Sequence, residues 1–229
     1  MRGFGLVEIM LALVLGLMLS LALTHIFISS KSTWMSQASS ASLQEDARFV
    51  LGKMLQEVRL AGTFGCLGNI QDASLGGRFA GAVKAPVQWE QAQQSLTLIS
   101  AAVGAKPSWY EWVVHTDCVS SATAWSRGRA PQLKVGEFAL PIQRHVYRFN
   151  QPRNELTLDG QPLISHVREF RVLFGVAATS YDSGVIRYTT QADPGLIRSV
   201  HMTLTLFDPA DRTQEHTFSV VAALRSRAG

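Results

Sequence analysis

Glu8 is a carboxylate set in an otherwise apolar stretch that runs from Phe4 to Ile28. Within a membrane helix a carboxylate costs at least about 2.5 kcal/mol and is by default a functional group with a partner. The competing reading places Glu8 near the interface, where it snorkels. The preceding residues suggest a chemistry. Gly3 is followed by Phe4, and Glu8 is the fifth residue counted from Phe4, giving G-F-x-x-x-E ahead of the apolar run. A cut after Gly3 would leave a cationic amine at Phe4 one helical turn from Glu8. The carboxylate could then pair with that amine on its own or a neighbouring chain.

The other chemistry-bearing residues form no such pattern. Cys66 and Cys118 lie far apart, without the paired short spacings of a zinc site. If the opening segment puts the rest of the chain outside the cytoplasm, a Cys66–Cys118 disulfide is expected; the alternative is two buried free thiols. The six histidines (His25, His115, His145, His166, His201, His216) form no i, i+4 pair and read as strand-face or surface residues. H-E-x-x-H, G-x-S-x-G, S-x-x-K and the phosphate-cradling G-x-x-x-x-G-K do not occur. Gly62, Gly65 and Gly68 lack the strand-then-helix setting of a dinucleotide loop. Trp109, Tyr110 and Trp112 could stack on a sugar or base, although strand packing against a helix is the simpler expectation. The reading is a non-enzyme with no cofactor and no metal.

The elements behind these residues follow from pattern. The chain has 229 residues, 47% hydrophobic and 17% charged, which suits one medium domain with an apolar appendage. Its net charge of +4 is scattered and reads as solvated surface. About 25 apolar residues, 4–28, are enough to span a bilayer as a helix. Residues 29–42 are rich in Ser, Thr and Ala without Gly or Pro, so the helix should continue. From Leu43, Ala47, Val50, Met54, Val58 and Ala61 recur at steps of three and four, with Glu45, Arg48, Lys53, Gln56 and Arg59 opposite and a Lys53–Glu57 pair at i, i+4. Gly62 and Gly65 should end the helix. A helix over Phe4–Ala61 would measure about 87 Å, too long for a compact globular protein.

Beyond Cys66 the chain becomes strand-like. Expected strands are 96–103, 109–115, 145–149, 155–158, 168–176, 185–189, 200–207 and 216–224, with turns at 151–154, 159–160 and 208–211. The class is α+β: a long N-terminal helix, transmembrane in its first half and amphipathic in its second, packed on an antiparallel β-sheet domain. The expected organisation is a leader (1–3), a transmembrane helix (4–28), its amphipathic continuation (29–61) and a β-rich head (62–229).

G-F-x-x-x-E with the following apolar span resembles the class III signal of type IV pilins and type II secretion pseudopilins. Met1-Arg2-Gly3 is a shorter leader than is usual there, with one basic side chain. Arg59-Leu60-Ala61-Gly62-Thr63-Phe64-Gly65-Cys66 resembles the R-x-A-G-x-x-G-C that closes the long helix in PilW-type minor pilins. Val167-Arg168-Glu169-Phe170-Arg171-Val172-Leu173-Phe174-Gly175-Val176 is similar to their V-E-x-F-x-V-x-Y-G-V block. Residues 67–160 match no block of that family. Where the family continues with an aspartate-rich run suited to calcium, this chain has Ala177-Ala178-Thr179-Ser180-Tyr181-Asp182, and a calcium site there is not expected. Arg225 is followed by Ser226 in place of the family's asparagine.

The resemblance implies cleavage between Gly3 and Phe4 by a prepilin peptidase, N-methylation of Phe4, and a role for Glu8 in docking the subunit into a filament. It implies a minor pilin of the complex that primes and caps a type IV pilus. Its partners would be other minor pilins and the major pilin through the N-terminal helix. The protein would sit in a bacterial inner membrane as a single-pass subunit, head in the periplasm, before reaching a pilus at the cell surface. Two alternatives share the architecture: a J-type minor pseudopilin of a type II secretion system, and a membrane-anchored module binding DNA or a surface ligand.

Overall fold

Between Gly5 and Gly62 the sequence contains no proline, and Gly16 and Gly52 are its only interior glycines. A computed structural model, which describes residues 5–102, 107–182 and 184–225, forms this stretch into one helix, α1 (Leu6–Leu60). The stripe Leu43, Ala47, Val50, Met54, Val58 and Ala61 is buried throughout, and Lys53 Nζ lies 2.7 Å from Glu57 Oε1. Gly62 stops the helix with φ of 81°, and its N–H donates to Ile99 O at 2.9 Å.

The chain divides into two compact units between Glu45 and Asp46, inside α1. The buried stripe makes the helix's last turns part of the head's core, so they belong to the same unit as the sheets.

The first sheet contains β1 (Gln71–Asp72), β2 (Val87–Glu90), β3 (Ser95–Ala101), β4 (Trp112–Thr116), β5 (Ala122–Ser126), β6 (Phe138–Asn150), β7 (Glu155–Leu158) and β8 (Gln161–Ile164). A short helix, α2 (Arg78–Lys84), precedes β2. The strand order is β1-β5-β4-β6-β3-β2, with β7 also on β6 and β8 on β7. The β1–β5 pair is parallel, so this sheet is mixed. β6 organises it. One of its edges pairs with β3 along 142–148, and the other serves β4 along 138–142 and β7 along 147–150.

The second sheet, β10-β9-β11-β12, is antiparallel: β9 (Val167–Val176), β10 (Arg187–Thr189), β11 (Ile197–Phe207) and β12 (Glu215–Ala223). Register places Phe170 opposite Leu204, Val172 opposite Met202 and Phe174 opposite Val200, and all six are buried. Trp89 of β2 meets Phe170 edge-on, with ring centroids 5.6 Å apart, joining the cores of the two sheets. The fold is α+β, a long N-terminal helix with two β-sheets.

Several expected boundaries move. β7 falls where alternation puts it. β6 begins seven residues before the expected 145, because Pro141 inside it argues against a strand in sequence. β4 begins at Trp112, leaving Trp109 and Tyr110 outside the strand. Residue 103 of the first expected strand lies outside the described residues. The elements β1, β2, α2, β5 and β8 carry too little period to be seen. α2 is seven residues long with Gly81 in the middle, well below the length at which a helix sustains itself.

Candidate functional site

Three places draw together the singled-out residues. The first is the start of α1. Glu8 lies in the first turn, and its Oε2 accepts the N–H of Gly5 at 3.1 Å. Gly5 O in turn accepts the N–H groups of Glu8 at 3.0 Å and Ile9 at 3.3 Å. The carboxylate is folded back over the helix start, where the positive end of the dipole favours it. Gly3 and Phe4, the expected cleavage pair, lie outside the described residues. From Leu6 to Ile28 the large apolar side chains are exposed on all sides, and α1 is long and apolar enough to cross a membrane. Ala12, Gly16 and Ser20 follow Glu8 along one face at steps of four, small residues of the kind that admit another helix closely.

The second place is the end of α1. Cys66 and Cys118 form a disulfide with Cα atoms 5.4 Å apart, tying the segment after the helix to the β4–β5 turn. Ala101 N–H donates to Thr63 O at 2.7 Å, and with the Gly62–Ile99 bond it stitches the helix end onto β3. Phe64 packs edge-on against Phe79 of α2 (5.4 Å), and Phe79 against Trp112 (5.9 Å). Trp112 therefore packs with α2 and the helix exit, not against the length of α1 as expected. Asp117 shapes the turn: its Oδ1 accepts from the N–H groups of Val119, Ser120 and Ser121. The Ser120 hydroxyl bond, followed by these amides, holds its carboxyl far below the usual carboxylate range.

The third place is the polar seam where α1 meets β6. Tyr147 Oη donates to Glu57 Oε2 at 2.8 Å. Burial, then the Glu57 charge, pushes the Tyr147 hydroxyl well above its ordinary value. His145 Nδ1 and Asp159 Oδ2 are 2.8 Å apart, and Asp159 Oδ1 accepts Val146 N–H at 2.8 Å. The Asp159 bond raises the His145 pKa against the opposing effect of burial, with Glu57 helping and Lys53 opposing. Burial raises the Asp159 carboxyl, but the His145 and Val146 hydrogen bonds outweigh it and the net shift is downward.

A groove of about 1260 Å³ crosses the outer face of the first sheet, lined by Gln88, Thr97, Trp109, Arg144, Arg148 and Asp159 among others. Its charges are of both signs, and Arg144 is held by Glu111 at 2.7 Å. The expected histidine roles resolve individually: His145 forms the ion pair above, and the His201 ring meets Tyr188 edge-on at 5.9 Å. Among the described residues no three His, Cys, Asp or Glu side chains are grouped to hold a metal.

No pattern in the sequence points to Arg198. It is buried, and its guanidinium donates to the carbonyls of Thr179, Ser180, Asp182, Gly195 and Ile197. The Gly195 and Ile197 oxygens are its neighbours in the chain, whereas those of Thr179, Ser180 and Asp182 lie in the segment after β9, 16 to 19 positions away, so no local pattern could announce the site. Compared with models of known protein families the chain matches none, and no curated protein matches it significantly.

Proposed function

We propose that the protein is a type IV pilin-like subunit of the minor, PilW-like kind, cleaved between Gly3 and Phe4 and anchored in a bacterial inner membrane until it joins the priming complex at a pilus tip. The observation that carries this reading is the division of labour along α1. Its first part is apolar and exposed on every side, while its last turns are buried in a β-rich head. A helix of this kind gives one subunit both a membrane anchor and a rod for packing against other copies. The Cys66–Cys118 bond fits a head in an oxidising compartment such as the periplasm. The bond from Gly5 N–H to Glu8 Oε2 keeps the carboxylate at the start of the helix, which supports a pairing of Glu8 with a cationic amine at Phe4 of its own or a neighbouring chain.

In this reading Phe4 carries the methylated amine, Glu8 serves docking, and the partners are other minor pilins and the major pilin. N-terminal mass spectrometry of membrane-extracted protein tests it. The expected mature chain begins at methylated Phe4. A retained Met1, or a cut near residue 25, would overturn it.

A further inference from the structure

The helix limits where a bilayer can lie along it. The first amides of an α-helix find no acceptor one turn back, and hydrocarbon offers none. α1 starts at Leu6, with the Gly5 N–H taken by Glu8 Oε2. Its first turn, and the carboxylate on that turn, therefore belong in the wet interfacial layer and not in the hydrocarbon.

From Ile9 to Ile28 the sequence suits hydrocarbon. Thr24 Oγ1 is satisfied within the helix, donating to Ser20 O at 2.8 Å, and the one titratable side chain, His25, lies close to the far end. These residues number about 20 and measure about 30 Å, the thickness of a bilayer's hydrocarbon core. Past Ile28 the character changes at once to Ser29, Ser30 and Lys31, followed by Trp34, which is 68% exposed. A lysine stem and an indole about 5 and 9 Å beyond the hydrocarbon edge sit at headgroup level, where both side chains partition.

We propose that Ile9–Ile28 is the hydrocarbon segment, bounded by Glu8 at one headgroup layer and by Lys31 and Trp34 at the other, so that Glu8 is the depth stop of the helix in a phospholipid bilayer. The hydrocarbon segment is then shorter than the apolar stretch 4–28 at its first end only, and Glu8 stays out of the hydrocarbon. The inference rests on the membrane anchoring proposed above, and on neither cleavage nor filament assembly.

The test is thiol labelling of the full-length chain in phospholipid vesicles, with a small water-soluble maleimide on both faces. The native cysteines, being disulfide-bonded, do not react. Val7→Cys and Thr33→Cys are expected to label, while Ala12→Cys, Leu19→Cys and Thr24→Cys are protected until detergent is added. Adding Glu8→Ala to Val7→Cys should bring loss of labelling, as the helix sinks. Protection of Val7→Cys with Glu8 present, or labelling at Val7→Cys that Glu8→Ala leaves unchanged, would overturn the depth stop while leaving the span intact. Labelling of Leu19→Cys without detergent would instead bring down the membrane anchor itself.

Discussion

Tyr147 of β6, fully buried, donates its phenolic proton to Glu57 of α1 across 2.8 Å, and Glu57 is held from its other side by Lys53 at 2.7 Å. The bond spans 90 positions of sequence and fixes the rotation of the helix against the sheet. Tyr147→Phe keeps the ring and removes the donor, leaving a half-buried carboxylate with one partner fewer. The expected loss is about 1–3 kcal/mol, read as a lower unfolding temperature of the detergent-solubilised full chain. An unchanged transition would show that the helix is seated by apolar packing alone.

The Cys66–Cys118 bond closes a loop with a sequence separation of 52. On the chain-entropy account it contributes about 4 kcal/mol. The paired Cys66→Ser and Cys118→Ser variant should unfold at correspondingly lower denaturant, and unreduced peptide maps of native protein should show the two cysteines linked. Free thiols in exported protein would contradict this.

A Cβ at Gly175 would collide with Ser199 Oγ and press on Val185 Cγ1 at 3.0 Å and Tyr188 Cε1 at 3.1 Å. Ser199 Oγ is itself buried without a hydrogen-bond partner among the described residues. Gly175→Ala should therefore cost about 1–3 kcal/mol. Ser199→Ala should be neutral or slightly stabilising, since it removes an unsatisfied hydroxyl. The double variant should lose less than the sum of the two, because the nearest obstruction is gone. Strict additivity would refute the collision.

The His145–Asp159 pair gives the β7–β8 hairpin a pH window. His145 has a raised folded pKa, so its contribution is complete below the ordinary value of 6.5 and is lost as pH rises through the folded value. Asp159 has a lowered one, so its contribution is present above 3.8 and is lost as pH falls through its folded value. Stability from the pair should be greatest between those two limits. His145→Gln should flatten the decline on the alkaline side, measured as denaturant midpoints across neutral pH. Parallel slopes for the variant and the natural protein would remove the pair from the account.

Glu8→Ala tests the assembly role. Membrane levels and the fold of the head should be unchanged, because the side chain's bond among the described residues is to Gly5 alone. Surface pili should become fewer, since a Phe4 amine in a water-poor filament core would lack its counter-charge. A subunit at the very tip, with no chain above it, would show a partial loss. Normal pilus numbers at normal protein levels would leave Glu8 with the interfacial role only.

The sequence by itself determined the elements whose signal repeats over many turns or rests on a single unambiguous residue. The apolar stretch 4–28 declares its own solvent. The stripe from Ala47 to Ala61 declares a buried face by its period, and Gly62 marks the stop. Strands such as Val200–Phe207 alternate clearly enough to be read. Tertiary structure decided the rest, because each remaining feature depends on residues distant in sequence. Pro141 is tolerated within β6 only in the presence of β3 and β4. α2 is too short to exist without Phe64 and Trp112 to pack on. The carbonyls of Thr179, Ser180 and Asp182 reach Arg198 only after β9 and β11 pair. Local propensity is a property of a few neighbouring residues, whereas these contacts form once distant strands have closed the loops between them.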